Sequence, residues 1–101
     1  MAQLIIVYWR DIPAQIIVRQ GRTAERRELP PQFIQAIDRT AMRVGARDSD
    51  AYLAAWRRSD PAPCGDDLAA VAEAEFARLV AIYDKPRLER LVDAGGYETP
   101  G

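Results

Sequence analysis

Histidine is absent from the 101 residues, and cysteine occurs once, as Cys64. The commonest general base and metal ligand is therefore missing. One thiol without an imidazole makes neither a thiolate–imidazole pair nor a zinc set. It also closes no internal disulfide, which fits a reducing cytoplasm. No Gly-x-x-x-x-Gly-Lys loop, Gly-x-Gly-x-x-Gly turn or Gly-x-Ser-x-Gly elbow occurs. No apolar run approaches the roughly 20 residues of a membrane span. The N-terminus lacks the basic start, apolar stretch and small-residue cleavage site of a signal peptide. A sequence pI near 5.4 argues against a nucleic-acid binder, which shows a concentrated basic face. These absences predict a cytoplasmic, non-catalytic protein without metal or cofactor, whose partners include neither membrane nor nucleic acid.

What is present suits one small globular domain: 49% of residues are apolar and 29% charged. The net charge of −1 hides an asymmetry. Residues 1–58 carry 10 basic and 6 acidic side chains, and residues 59–101 carry 4 and 9. The most informative stretch is Leu4–Val18, where β-branched and aromatic residues crowd together on either side of Asp11 and Pro13. Such runs predict two strands joined by a turn. The first is apolar on both faces, with Leu4, Ile6 and Tyr8 on one and Ile5, Val7 and Trp9 on the other, as in a strand inside a sheet. Gly21-Arg22 turns into a third, polar strand over Thr23–Leu29, whose charges suit an edge.

Pro30-Pro31 ends the sheet and opens a helix with Phe33, Ile34, Ile37, Ala41 and Val44 at helical spacing, closed at Gly45. A short second helix follows, capped by Asp48 or Ser49, with Tyr52, Leu53 and Trp56 inward and Arg57-Arg58 in its last turn. Asp60–Gly65, with two prolines, reads as a loop. The third helix carries the stripe Leu68, Ala72, Phe76, Leu79, Val80 and Tyr83 behind Asp66 as cap. Glu75, at the flank of that stripe, is expected to reach water. Pro86 opens a last helix with Leu88, Leu91 and Val92, closed by Gly95-Gly96. The prediction is an α+β domain over residues 1–96: a three-stranded antiparallel meander, then about four helices packed on it, with 97–101 as a flexible tail. Helices following the sheet cover one face readily, so either they wrap round both sides or, the favoured expectation, the other face leaves an apolar strip open to a partner or a second copy.

Candidate binding residues cluster in three places. Tyr8, Trp9, Arg10 and Asp11 end the first strand; the bland reading there is a core tryptophan, an outward arginine and a turn-forming aspartate. Trp56-Arg57 offers an aromatic and a cation, against simple helix anchoring. Cys64 precedes a helix N-terminus, where a thiol is activated or an anion bound, against an ordinary half-buried thiol. Arg19 joins Arg10 and Arg57 as a candidate anion contact. Arg22, Arg26 and Arg27 alternate with Glu25 and Glu28 and read as a solvated edge.

Val7-Tyr8-Trp9-Arg10-Asp11-Ile12-Pro13-Ala14-Gln15, the Phe33–Ala41 helix with Ala36-Ile37-Asp38, the Cys64-Gly65-Asp66-Asp67 junction and Gly95-Gly96 together resemble the small bacterial virulence factor domain family, over nearly the whole chain. The resemblance implies no defined reaction and no catalytic residues. It implies a domain that also occurs within longer virulence factor proteins, and a context of corrinoid and folate one-carbon enzymes. The leading expectation is an accessory or adaptor protein acting through contact with a protein partner or as a homodimer. The alternative is a small-ligand or anion-binding module serving a metabolic enzyme.

Overall fold

In a computed structural model that describes residues 1–46 and 49–98, the apolar N-terminal run forms strand β1 (Ala2–Trp9), followed by β2 (Ile12–Gln20) and β3 (Thr23–Glu28). Helix α1 spans Pro31–Arg43 and α2 Asp50–Ala54; two short strands, β4 (Trp56–Arg58) and β5 (Ala62–Cys64), come next, then α3 (Leu68–Ile82) and α4 (Lys85–Asp93). The antiparallel sheet followed by helices is the α+β arrangement the sequence predicts. The sheet order is β3-β2-β1-β4, and β5 pairs with β1 as well.

Two expectations need correction. Trp56-Arg57-Arg58 is a strand rather than a helix end, and the Asp60–Gly65 loop contains a strand. Both follow from the two-faced apolar character of β1, whose second edge needs a partner for its backbone groups. Strand β4 pairs with residues 7–9 of β1 and β5 with residues 2–4, end to end along that edge. Pro63 is tolerated in β5 because the strand lies at the border of the sheet. Between them, Ser59 exchanges bonds with Ile6: its N–H donates to the Ile6 carbonyl at 2.9 Å, and its Oγ accepts from the Ile6 N–H at 2.9 Å.

Helix α3 packs on β2 and β3, over the face that carries Ile6, Ile16 and Val18. Its cap is Asp67, which accepts from the Ala70 N–H; Asp66 instead accepts from Gln20. Ala72, Leu79 and Tyr83 are the buried members of the stripe, whereas Phe76 is only half-buried, with Arg27 over its ring. Glu75 does not reach freely into water. It is 8% exposed and takes a double hydrogen bond from Arg78 at 2.5 and 2.7 Å. Arg27 of β3 pairs with Glu73 of α3, tying the edge strand to the helix.

Helices α1 and α4 pack together, joined at the rim by the two-pronged Arg39–Glu89 pair. Around the β1–β2 turn, α1 and α2 bury residues of the second face: Trp9 is fully buried and Ile12 lies beside it in the same core as Ile37 and Ala41. The expected open strip containing Trp9 therefore does not exist. Ile5 and Ile17, paired across β1 and β2 on that face, are 2% and 3% exposed, and Val7 and Trp56 are half-buried.

Asp48, one of the two caps expected for α2, lies outside the described residues. Ser49 occupies the cap position, and its hydroxyl donates to the Ala46 carbonyl. Of the expected tail, 99–101 also lie outside the described residues.

Candidate functional site

The β1–β2 turn organises the polar end of the molecule. Arg10 adopts φ +54°, a left-handed backbone rare for a side-chain-bearing residue. Its N–H donates to the Ala55 carbonyl, and its Nη1 donates to the Gly95 carbonyl at 2.6 Å. The guanidinium lies 5.0 Å from the ring centroids of both Trp9 and Tyr97. Arg10 is thus an internal clamp on the C-terminal segment and does not point outward. Asp11 completes it: its N–H donates to the Gly96 carbonyl and its Oδ2 accepts from the Glu98 N–H, both at 2.8 Å.

Next to this clamp, Tyr8 and Arg57 oppose each other across β1 and β4, with the guanidinium 4.5 Å from the phenol ring centroid. Arg57 is fixed from behind, donating from Nε to the Arg10 carbonyl and from Nη2 to Asp11 Oδ1, each at 2.9 Å. Tyr83, the C-cap of α3, packs edge-on to Phe33 and lies under Arg87 at 4.1 Å. Arg87 in turn donates twice to Glu98. Tyr8, Asp11, Arg57, Ser59, Asp60, Tyr83 and Glu98 line one shallow pocket of about 380 Å³. Burial pushes both phenols above the ordinary tyrosine range, opposed at Tyr8 by Arg57 and Arg78 and reinforced at Tyr83 by Tyr8. Both stay protonated at neutral pH.

The remaining candidates go elsewhere. Trp9 and Trp56 oppose each other on the other sheet face and both contact Tyr52, whose carbonyl accepts from Trp9 Nε1 at 2.9 Å. Arg19 sits far along β2 beside Gln3. Cys64 is half-buried in β5, opposite Ala2. The structure therefore brings Tyr8, Asp11 and Arg57 together and separates them from Arg19 and Cys64. Asp60, Tyr83 and Glu98 join the pocket from segments that read in sequence as a loop, a helix stripe and a tail. Among the described residues, no three His, Cys, Asp or Glu side chains gather as metal ligands.

On the face opposite α3, alternation places Gln3, Ile5 and Val7 of β1, Gln15, Ile17 and Arg19 of β2, Arg26 and Glu28 of β3 and Arg58 of β4 side by side. Arg26 and Arg58 are exposed and have no acidic partner among the described residues, and Arg19 bonds only to Gln3. At the rim, Val7, Ala14, Gln15, Glu28, Leu29, Ile34 and Trp56 enclose a groove of about 280 Å³.

The family model described as "Virulence factor" matches residues 7–92, which takes in every element from the end of β1 to α4. The chain belongs to the virulence factor family. The matched span holds the Tyr8–Arg57 pair, Asp60, Tyr83 and the arginines of the face opposite α3, while the clamp on Gly95 and Gly96 lies just beyond it. No curated protein and no solved structure matches this virulence factor domain. No helix among its described residues is long and apolar enough to cross a membrane.

Proposed function

We propose that this virulence factor domain is a non-catalytic cytoplasmic adaptor that docks the acidic, apolar-centred surface of a partner protein on the face of its sheet opposite α3. The observation that carries this reading is the set of three arginines without an acidic partner among the described residues, Arg19, Arg26 and Arg58, on the same sheet face as the Val7–Trp56–Ile34 groove, whose lining also holds Glu28. Elsewhere in the fold, Arg27, Arg39, Arg43, Arg57, Arg78 and Arg87 are each matched by a carboxylate, Arg10 is bonded to the Gly95 carbonyl, and Arg22 and Arg90 have no acidic partner among the described residues. A cationic rim around a partly apolar groove complements an acidic rim around an apolar projection. Two-fold self-association across this face would set arginines against arginines, which favours a different partner over a second copy. Single-stranded nucleic acid needs exposed aromatic stacking platforms, and Trp9 on this face is fully buried.

The test combines Arg19→Glu, Arg26→Glu and Arg58→Glu in one variant that keeps its circular dichroism spectrum. A partner captured from the native cytoplasm, then purified, should bind wild type in a salt-weakened manner and bind the variant at least about tenfold more weakly. Equal binding by the variant, or a stable wild-type dimer in light scattering that the triple reversal dissociates, removes the proposal.

A further inference from the structure

The tyrosine pocket lies on the other face of the sheet from the arginine rim, and its chemistry is independent of that docking surface. Tyr83 is 8% exposed, and its hydroxyl makes no hydrogen bond among the described residues but is not one of their fully buried polar atoms, so it keeps contact with solvent. The charges that act on that hydroxyl belong to Arg87, Glu98 and Asp11, with Tyr8 beside them, and three of these four residues line the pocket. The hydroxyl end therefore faces the cavity. The Tyr8 hydroxyl and Arg57 Nη1 are likewise unused, although the ring and the guanidinium are held rigidly. These donors are held in place by packing and are satisfied only by water, which a ligand acceptor can displace while keeping the bonds.

The charges decide what kind of ligand fits. Arg57 is matched by Asp11, Arg87 by Glu98 and Arg78 by Glu75. Asp60, at the rim, has no partner among the described residues, so the net charge left is negative. A simple anion would satisfy the hydroxyls but meet that charge unfavourably. A simple cation would satisfy Asp60 but leave three donors unmatched. We propose that this pocket binds a small zwitterion of amino-acid size. Its carboxylate accepts from the Tyr8 and Tyr83 hydroxyls and from Arg57 Nη1, and its ammonium group is drawn to Asp60. A volume of about 380 Å³ stands near the lower end of the range for small-molecule sites. The arginines stacked on both phenol rings preorganise the donors, which lowers the ordering cost of binding.

The experiment uses the full chain labelled with nitrogen-15, titrated separately with glycine, γ-aminobutyrate, acetate and ethylamine while amide resonances are followed. Glycine and γ-aminobutyrate vary the spacing of the two charges; acetate and ethylamine each carry one. At least one zwitterion should give saturable shifts centred on residues 8, 57, 60 and 83. Acetate and ethylamine should bind at least about tenfold more weakly, as expected when a charged hydrogen-bonding group is lost. Tyr83→Phe and Asp60→Asn should each weaken the zwitterion by a similar factor. Asp60 is exposed, so Asp60→Asn preserves the fold and keeps the test decisive even if Tyr83→Phe is destabilising. Absence of saturable shifts with both zwitterions, equal binding of either single-charge probe, or unchanged affinity in Asp60→Asn overturns the proposal.

Discussion

Replacing Gly96 by alanine tests whether the C-terminal turn is locked onto the β1–β2 turn as tightly as the geometry implies. Gly96 has φ +89°, and a Cβ there would lie 3.1 Å from Arg10 Cδ, 3.2 Å from Arg10 Cβ and 3.4 Å from Thr40 Cγ2. The left-handed backbone alone costs alanine about 1–2 kcal/mol. The contact adds a second component, because Arg10 cannot swing aside: its guanidinium is bonded to the Gly95 carbonyl and held between Trp9 and Tyr97. Forcing an extra methyl into such a site costs about 1–3 kcal/mol. Gly21 supplies the control, with φ +59° and nothing within 4 Å of its added Cβ, so Gly21→Ala bears the backbone component only. A total near 3 kcal/mol for Gly96→Ala lowers Tm by about 12–24 °C in a domain of this size, against roughly half that for Gly21→Ala. Calorimetry of both variants measures the difference. In an Arg10→Ala background, which removes Cδ but keeps Cβ, the cost of Gly96→Ala should fall part of the way toward that of Gly21→Ala. If the two glycine variants melt together in the wild-type background, Arg10 yields freely and the clamp is not rigid.

Three further outcomes follow from the packing and the titrating groups. Leu79→Ala should cost about 2–5 kcal/mol by urea unfolding and exceed Phe76→Ala, because Leu79 is fully buried in the core and Phe76 is half-exposed beneath Arg27; the reverse order would misplace α3. Arg78→Ala strands the buried Glu75 carboxylate and should cost about 1–3 kcal/mol, restored in large part by a second change, Glu75→Gln, and an Arg78→Ala protein as stable as wild type would contradict the pairing. Because folding raises the Tyr8 and Tyr83 phenols above their ordinary value of 10.0, the unfolded chain releases those protons first. Stability should therefore fall as pH climbs past that value, and the fall should shrink in Tyr8→Phe and Tyr83→Phe when melts are compared across alkaline pH.

Most regular elements are legible in the sequence because their periods are long enough to register. A continuous run of β-branched and aromatic residues marks β1, and the 3.6-residue stripes mark α1, α3 and α4. Strands β4 and β5 are three residues each, too short to show a period, and two prolines beside Cys64 read as loop. Their strand character is imposed from outside, by the vacant edge of β1. Trp56 fits the apolar pattern of a helix end and equally the partner position opposite Trp9, and only the tertiary pairing separates the two. The same limit governs the pocket. Tyr8, Asp11 and Arg57 are recognisable as chemistry-bearing residues, but Tyr83 is indistinguishable from a core stripe, and Glu98 enters only because Asp11 captures its backbone N–H. Glu75 reads as solvated because a helical wheel does not show that the flank of α3 faces the sheet.

The clamp on residues 95–98 also bears on how the chain is made. Arg10 and Asp11 leave the ribosome early, while their partners, the Gly95 and Gly96 carbonyls and the Glu98 N–H, lie 85 or more residues later. Until residues 95–98 emerge, the Arg10 guanidinium therefore lacks the acceptor and the second aromatic ring that hold it in the finished fold. The earlier hairpin of β1 and β2 closes over a short turn and can form first, whereas its second edge waits for β4 and β5. A chain cut short before Gly95 would keep the sheet and most of the core but carry a cation against Trp9 with nothing above it. Such a product would be folded in outline and open at the end where the tyrosines converge, a natural target for proteolytic surveillance.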